Sequence, residues 1–309
     1  MMIRLGLGLG LFLGSLGLGW WLHRRRLLSE AFASQLVRWI VITSSPIVLC
    51  LSFWEMNLRR IEPWLLPFLG TLISASTLIP AFLYTRYDRL SDAQTGSFLT
   101  CAFFSNVGYL GAFTAFAVFG EAGYALCMLY LVFFTPCFYT LGFAIASHYG
   151  GAHASAGLSD AYSSELRLYP FLGMLIGAAL SLARVPRPTV FVGINHVLIP
   201  VSTAVYLIAI GSQLTFESPR RWLRPCLAMS GIKLCYTPVI AWLLLNAFHV
   251  HGLPRPIVLL QASTPVAVSP LTLPMLFGLD HRLTNALWLV TTVVAIPWLI
   301  FIIPLLPRF

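Results

Sequence analysis

Charge is what this sequence has least of. Only 9% of its 309 residues are charged and 58% are hydrophobic, whereas roughly a quarter of a soluble globular domain is charged. So few polar groups cannot cover a water-facing surface, and the mean hydropathy of +0.84 agrees. The chain is expected to be an integral, all-α polytopic membrane protein whose surroundings are the lipid bilayer. Lysine is scarcer still: Lys233 is the only one, and the other eighteen basic residues are arginines. The formal charge of +9 does not point to nucleic acid, because no basic stripe interleaves with aromatics. Arginines spread singly and in pairs along short connections fit a membrane face instead.

Other absences narrow the chemistry. Cys50, Cys101, Cys127, Cys137, Cys226 and Cys235 lie apart in apolar runs with no C-x-x-C pair. That spacing excludes a disulfide framework or a cysteine metal site and reads as small buried apolar residues. His249 and His251 form an H-x-H with no third ligand nearby, so no metal is expected. There is no P-loop, and Gly8-x-Gly10 runs on to Leu13, which breaks the dinucleotide fingerprint; no cofactor is expected and any active transport must run on gradients. An intramembrane enzyme needs paired catalytic groups in mid-span. The chain has no carboxylate pair, and His23, His148, His153, His196, His249, His251 and His281 fall in connections or near span ends.

What the chain does have is long apolar runs. A stretch of about twenty apolar residues spans the hydrocarbon as a helix, and ten candidates qualify: about 3–22, 32–53, 63–85, 97–118, 122–147, 168–184, 190–214, 222–247, 256–278 and 283–306. The first resembles a signal peptide, but its charge, "HRRR", follows the apolar core, so it is kept as a spanning helix. It carries Gly6, Gly10 and Gly14 along one face. Glycines so spaced let helices approach closely, within the protein or across a homodimer.

Arginine counts in alternate connections set the expected orientation. One side has Arg24, Arg25, Arg26, Arg38, Arg86, Arg89, Arg167, Arg220, Arg221, Arg224 and Arg282, eleven against seven on the other. The positive-inside rule then puts both termini outside the cytoplasm of a cell (inner or plasma) membrane. The connection 149–167, rich in Gly, Ala and Ser, becomes cytoplasmic.

A repeat lies in the chain. "WLLPFL" at 64–69 and "WLRPCL" at 222–227 share W-L-x-P-x-L, with Pro80 and Pro238 further on, all at an offset of 158. The same offset sets Ser105 on Ser263, Thr114 on Thr272, and Phe119-Gly120 on Phe277-Gly278. Five helices per copy is an odd number of crossings, so the copies, 1–148 and 168–309, must be inverted. Inverted repeats are a device of secondary transporters, with the substrate at the midplane where broken helices meet. Span 4 carries Asn106, Gly108 and Gly111; span 9 carries Pro265, Pro270 and Pro274. Proline removes a helical hydrogen bond and glycine loosens a helix. The freed backbone must line a cavity or a protein interior, since it cannot face lipid.

These stretches, "SNVGYLGAFTAFAVFGEAGYA" and "ASTPVAVSPLTLPMLFGLDHRLTNALWLVTTVVAIPW", with "PFLGMLIGAAL" and "YLIAIGSQL", resemble the auxin efflux carrier family. Asn106, Gly108 and Gly111 match its Asn-x-Gly-x-x-Gly-x-Pro run, with Phe113 where the family has proline; Thr264, Pro265 and Ala267 stand at its Met-Pro-x-Ala. The resemblance implies ten helices, with helices 4 and 9 crossing at their breaks. It implies a scaffold of helices 1, 2, 6 and 7 and a mobile transport domain of 3–5 and 8–10. The implied cargo is a small organic anion, auxin-like or a dicarboxylate, moved by alternating access.

Half-helix N-termini suit an anion, and Ser105, Asn106, Ser263, Thr264 and Ser269 stand beside them with Pro265 and Pro270. The alternative is a sodium- or proton-coupled symporter or antiporter of the same inverted plan, as in bile-acid-type symporters. It is disfavoured because Glu55, Glu62, Asp88, Asp92, Glu121 and Asp280 all fall near span ends. Lys233 is expected roughly 16 Å into a core about 30 Å thick. At the repeat offset it meets Ala75, flanked by Ser76 and Thr77. An intramembrane charge is a functional hypothesis by default, so Lys233 is expected to support the broken helices or to offer its charge to the anion.

Overall fold

A computed structural model describes residues 2–59, 62–150, 168–212 and 219–308. Among them all regular structure is helical, apart from one isolated antiparallel bridge between Ser105 and Val266. Six runs are long and apolar enough to cross a membrane: Gln35–Glu55, Leu65–Tyr87, Val107–Tyr149, Gly193–Gly211, Leu223–Ala247 and His281–Leu306. Large apolar side chains such as Leu83, Leu227, Val293 and Phe301 point outward from them. That is the surface of a protein solvated by lipid, where an apolar exterior carries no penalty. Most of the expected connection 149–167 lies outside the described residues.

The chain divides into two compact units. The first gathers 1–64, 108–128 and 164–215; the second gathers 65–107, 129–163 and 216–309. In the first, the helix Met2–Arg24 runs along Val190–Gly211, and Leu168–Leu182 runs along Ser44–Glu55. Glycine makes both contacts close. A Cβ on Gly19 would fall 2.0 Å from the Ile208 carbonyl oxygen; on Gly173 and Gly177 it would fall 2.2 Å from the carbonyls of Pro46 and Cys50. Glycines four apart therefore do mediate packing, but at 173 and 177. A Cβ on Gly6, Gly10 or Gly14 would meet nothing within 4 Å, so the contact expected of them is absent among the described residues. Their face of the helix turns away from them.

In the second unit the core is aromatic, built on Phe103, Phe104, Phe138, Phe143 and Phe277. Two of its long helices deviate just before a proline. Pro80 has no N–H for the Ser76 carbonyl, and the helix Leu65–Ser76 breaks at Thr77 before resuming as Leu78–Tyr87. Pro238 acts likewise on Leu234, and the turn Ile232–Tyr236 widens to a π-helix between Leu223–Gly231 and Thr237–Ala247. The cysteines are more varied than expected. Cys101, Cys127 and Cys226 are buried, but Cys50 and Cys137 are partly so and Cys235 is exposed, because the apolar runs present one face outward.

Candidate functional site

The helix Asp92–Phe103 starts on a capping box, with Ser91 and Gln94 exchanging hydrogen bonds. It stops where Phe104 turns extended, at φ −92° and ψ 117°. Further along the chain the helix Pro254–Ala262 stops just before Ser263, and Pro265 forbids its continuation. The two loose stretches satisfy each other. Asn106 N–H donates to the Pro265 carbonyl at 2.7 Å and Ala267 N–H to the Phe104 carbonyl at 2.9 Å. Val266 N–H donates to the Thr291 hydroxyl at 3.2 Å. These backbone groups would be prohibitive in lipid; here they are paired in a buried interior.

Lys233 reaches this point from the π turn. Its side chain is fully buried, and Nζ donates to the Ala102 carbonyl at 2.5 Å and to Ser105 Oγ at 2.8 Å. Ala102 sits in the last turn of Asp92–Phe103, where carbonyls lack helical donors and the dipole end is negative. The ammonium thus caps a half-helix from outside it, and no carboxylate pairs with it among the described residues. Thr77, also fully buried, places Oγ1 2.7 Å from the same Ala102 carbonyl and 2.6 Å from that of Ser74. It has one proton for the two, so Lys233 and Thr77 share the cap.

The remaining residues read from the sequence divide. Asn106 and Pro265 are buried at the crossing. Ser76 is half-buried; its hydroxyl returns to Ile73, while its carbonyl accepts from Tyr236 Oη at 3.3 Å. The hydroxyls of Ser263 and Thr264 are buried but turned back on the Leu259 and Gln261 carbonyls, at 2.8 and 2.7 Å, closing the end of their own helix. Ser269 Oγ, in the short turn Ser269–Thr272 beside buried Pro270, finds no hydrogen-bond partner among the described residues. Gly108 and Gly111 lie in the π turn Val107–Gly111, and both belong to the first unit, not to the group around Lys233. A cleft reaches Ser105 in the second unit, walled by Thr71, Ser74, Tyr130, Phe134 and Cys137.

One cluster escaped the sequence reading. Glu121, placed by sequence at a span end, is only 9% exposed. Arg187 grips it at both carboxylate oxygens, 2.5 and 3.1 Å, and also donates to the Leu51 carbonyl at 3.0 Å. Asn195 donates to Glu121 Oε1 at 2.5 Å and to Ser52 at 3.0 Å, and Glu55 pairs with Arg187 Nε at 3.0 Å. Burial alone would lower the Arg187 pKa, but its two carboxylates hold it above the usual value. The signals were faint: a Glu after Phe-Gly, and an Arg between Pro186 and Pro188.

Comparison with known proteins gives matches along nearly the whole chain. The sequence pattern of the family described as membrane transport protein matches residues 12–156 and 158–303. An uncharacterized transporter of Methanothermobacter thermautotrophicus is 24% identical over 280 residues, 90% of this chain and 91% of that protein. An uncharacterized transporter of Methanocaldococcus jannaschii is 24% identical over 208 residues, 66% of each.

Proposed function

Because the chain belongs to the membrane transport protein family, of auxin efflux carrier type, and is a multi-pass membrane protein, we propose that it is a secondary carrier for a small organic anion. The observation that carries this is Lys233: a fully buried ammonium, at the junction of two interrupted helices, with carbonyl and hydroxyl partners but no carboxylate among the described residues. Such a charge lacks a counter-ion, and a carboxylate ligand would supply one. The cleft that reaches Ser105 gives the ligand an approach to the group that Lys233 holds.

Alternating access on ten helices in two inverted repeats is part of the same reading. Supporting it, Gly120 and Gly278, 158 residues apart, hold φ of 70° and 72°, and the deviations at Thr77 and at Ile232–Tyr236 sit at the same offset. The antiparallel pairing of Ser105 with Val266 suits two copies that run in opposite directions. The division into two compact units suits a carrier with a scaffold and a moving part.

Screening small carboxylates for a rise in the melting temperature of the purified protein tests the proposal. A dicarboxylate such as malate should stabilise it; stabilisation by sodium and by no carboxylate would refute it. A sodium- or proton-coupled carrier of the same plan is the second reading. Uptake with and without a sodium gradient separates the two.

A further inference from the structure

Among the described residues, four other than glycine hold a positive φ, and all four are basic: Arg26, Arg89, Arg184 and His249. Each stands two residues past the end of a helix, Met2–Arg24, Leu78–Tyr87, Leu168–Leu182 and Thr237–Ala247 in turn. Glycine is the usual choice there, because a side chain in the left-handed region carries a steric penalty that glycine avoids. The helix dipole favours a cation, but an arginine within the last turn meets that preference without the penalty. A basic residue in this conformation therefore calls for a partner outside the helix.

The end of Met2–Arg24 carries the most charge. Arg24, Arg25 and Arg26 follow one another there, all exposed, and none meets a carboxylate among the described residues. The turn that presents them is fixed: Arg26 N–H donates to the His23 carbonyl and Leu27 N–H to the Leu22 carbonyl, both at 2.9 Å. Leu28 pins it, buried with Ala33 and Ala209. The Arg24 guanidinium lies 5.2 Å from the Trp20 ring, and that of Arg25 5.8 Å from the Trp21 ring. Stacking uses the face of a guanidinium and leaves its N–H edge for phosphate. In the same stretch Trp21, Leu27 and Phe32 are 45, 68 and 53% exposed. Unpaired guanidiniums among exposed apolar side chains match an anion attached to a hydrocarbon chain; a soluble anion would use the charges alone. We infer that Arg24, Arg25 and Arg26 form a binding site for the headgroup of an anionic phospholipid. Their guanidiniums hold its phosphate, and Trp21, Leu27 and Phe32 meet its acyl chains. The site does not rest on the carrier reading.

Binding of a short-chain phosphatidylglycerol to the whole chain in neutral detergent tests this, with phosphatidylcholine of the same chains and inorganic phosphate as comparators. An arginine beside an anionic lipid is worth about a five-fold change in affinity. The triple variant Arg24→Gln, Arg25→Gln, Arg26→Gln should therefore bind phosphatidylglycerol roughly a hundred-fold more weakly. Phosphatidylcholine should bind parent and variant alike, and inorganic phosphate should not displace the lipid. Arg26→Gly serves if the triple variant does not fold. It should melt no lower than the parent in detergent alone, since glycine takes the left-handed conformation freely, yet bind the lipid about five-fold more weakly. Unchanged affinity in the folded variants would overturn the site, as would an equal loss when Arg86, Arg221 and Arg224 are changed to glutamine instead. So would a lower melting temperature for Arg26→Gly, which would make that arginine a helix cap only. Displacement by inorganic phosphate would overturn the lipid and give the arginines to a soluble anion.

Discussion

Tyr236 donates its hydroxyl to the Ser76 carbonyl at 3.3 Å, the oxygen that Pro80 deprives of its helical partner. One helix repairs the defect that a proline makes in another, and both residues lie at the two helix deviations. Tyr236→Phe should lower the melting temperature, by a cost of about 1 kcal/mol for the lost hydrogen bond. Pro80→Ala restores a donor to Ser76, so the double variant should recover most of that loss. If the two changes are additive in a thermal melt, the carbonyl is not what Tyr236 serves.

On the proposed inverted-repeat reading, Ala122 and His281, which follow the positive-φ glycines Gly120 and Gly278, lie on opposite membrane faces. Single cysteines at these positions, in a cysteine-free background, should react with an impermeant maleimide from opposite sides of sealed vesicles. Labelling of both from the same side would rule out the inverted arrangement.

Gly19→Leu should strongly reduce the folded yield, because its side chain would meet Ile208 backbone within 2.0 Å. Overpacking typically costs about 1–3 kcal/mol, and a backbone clash of this depth lies at or beyond the upper end. Gly10→Leu, with nothing within 4 Å, should leave the monomer's melting temperature unchanged. Size-exclusion profiles and thermal melts of the two variants check both statements; a shift in oligomer size with Gly10→Leu alone would assign that free face to a second copy.

The sequence made some of this legible and hid the rest for identifiable reasons. Proline and glycine clusters in apolar runs are local signals, so the regions around Asn106 and Pro265 stood out. A lone lysine in such a run also announces itself. Partners are not local: nothing near Lys233 in sequence indicates the Ala102 carbonyl, and nothing near Arg187 indicates Glu121, 66 residues away. Hydropathy placed Glu121 at a span end, and it is buried there because Arg187 and Asn195 close over it. The glycine periodicity in Met2–Arg24 was real, but which face meets a neighbour is decided by packing, and Gly19 meets it.

Lys233→Met should separate stability from function. Burying an ammonium costs several kcal/mol, offset here by two hydrogen bonds and a helix end but by no counter-ion among the described residues. The variant is expected to melt at the same temperature as the parent or higher, the usual direction when a buried functional charge is removed. A large fall in melting temperature would make Lys233 a structural cap first.

The most direct measurement is uptake into proteoliposomes of the carboxylate that best stabilises the protein, by the parent and by folded Lys233→Met. The anion-carrier account predicts saturable uptake by the parent and its loss in the variant, with the carboxylate's thermal stabilisation lost as well. Uptake by Lys233→Met with the parent's affinity would contradict it.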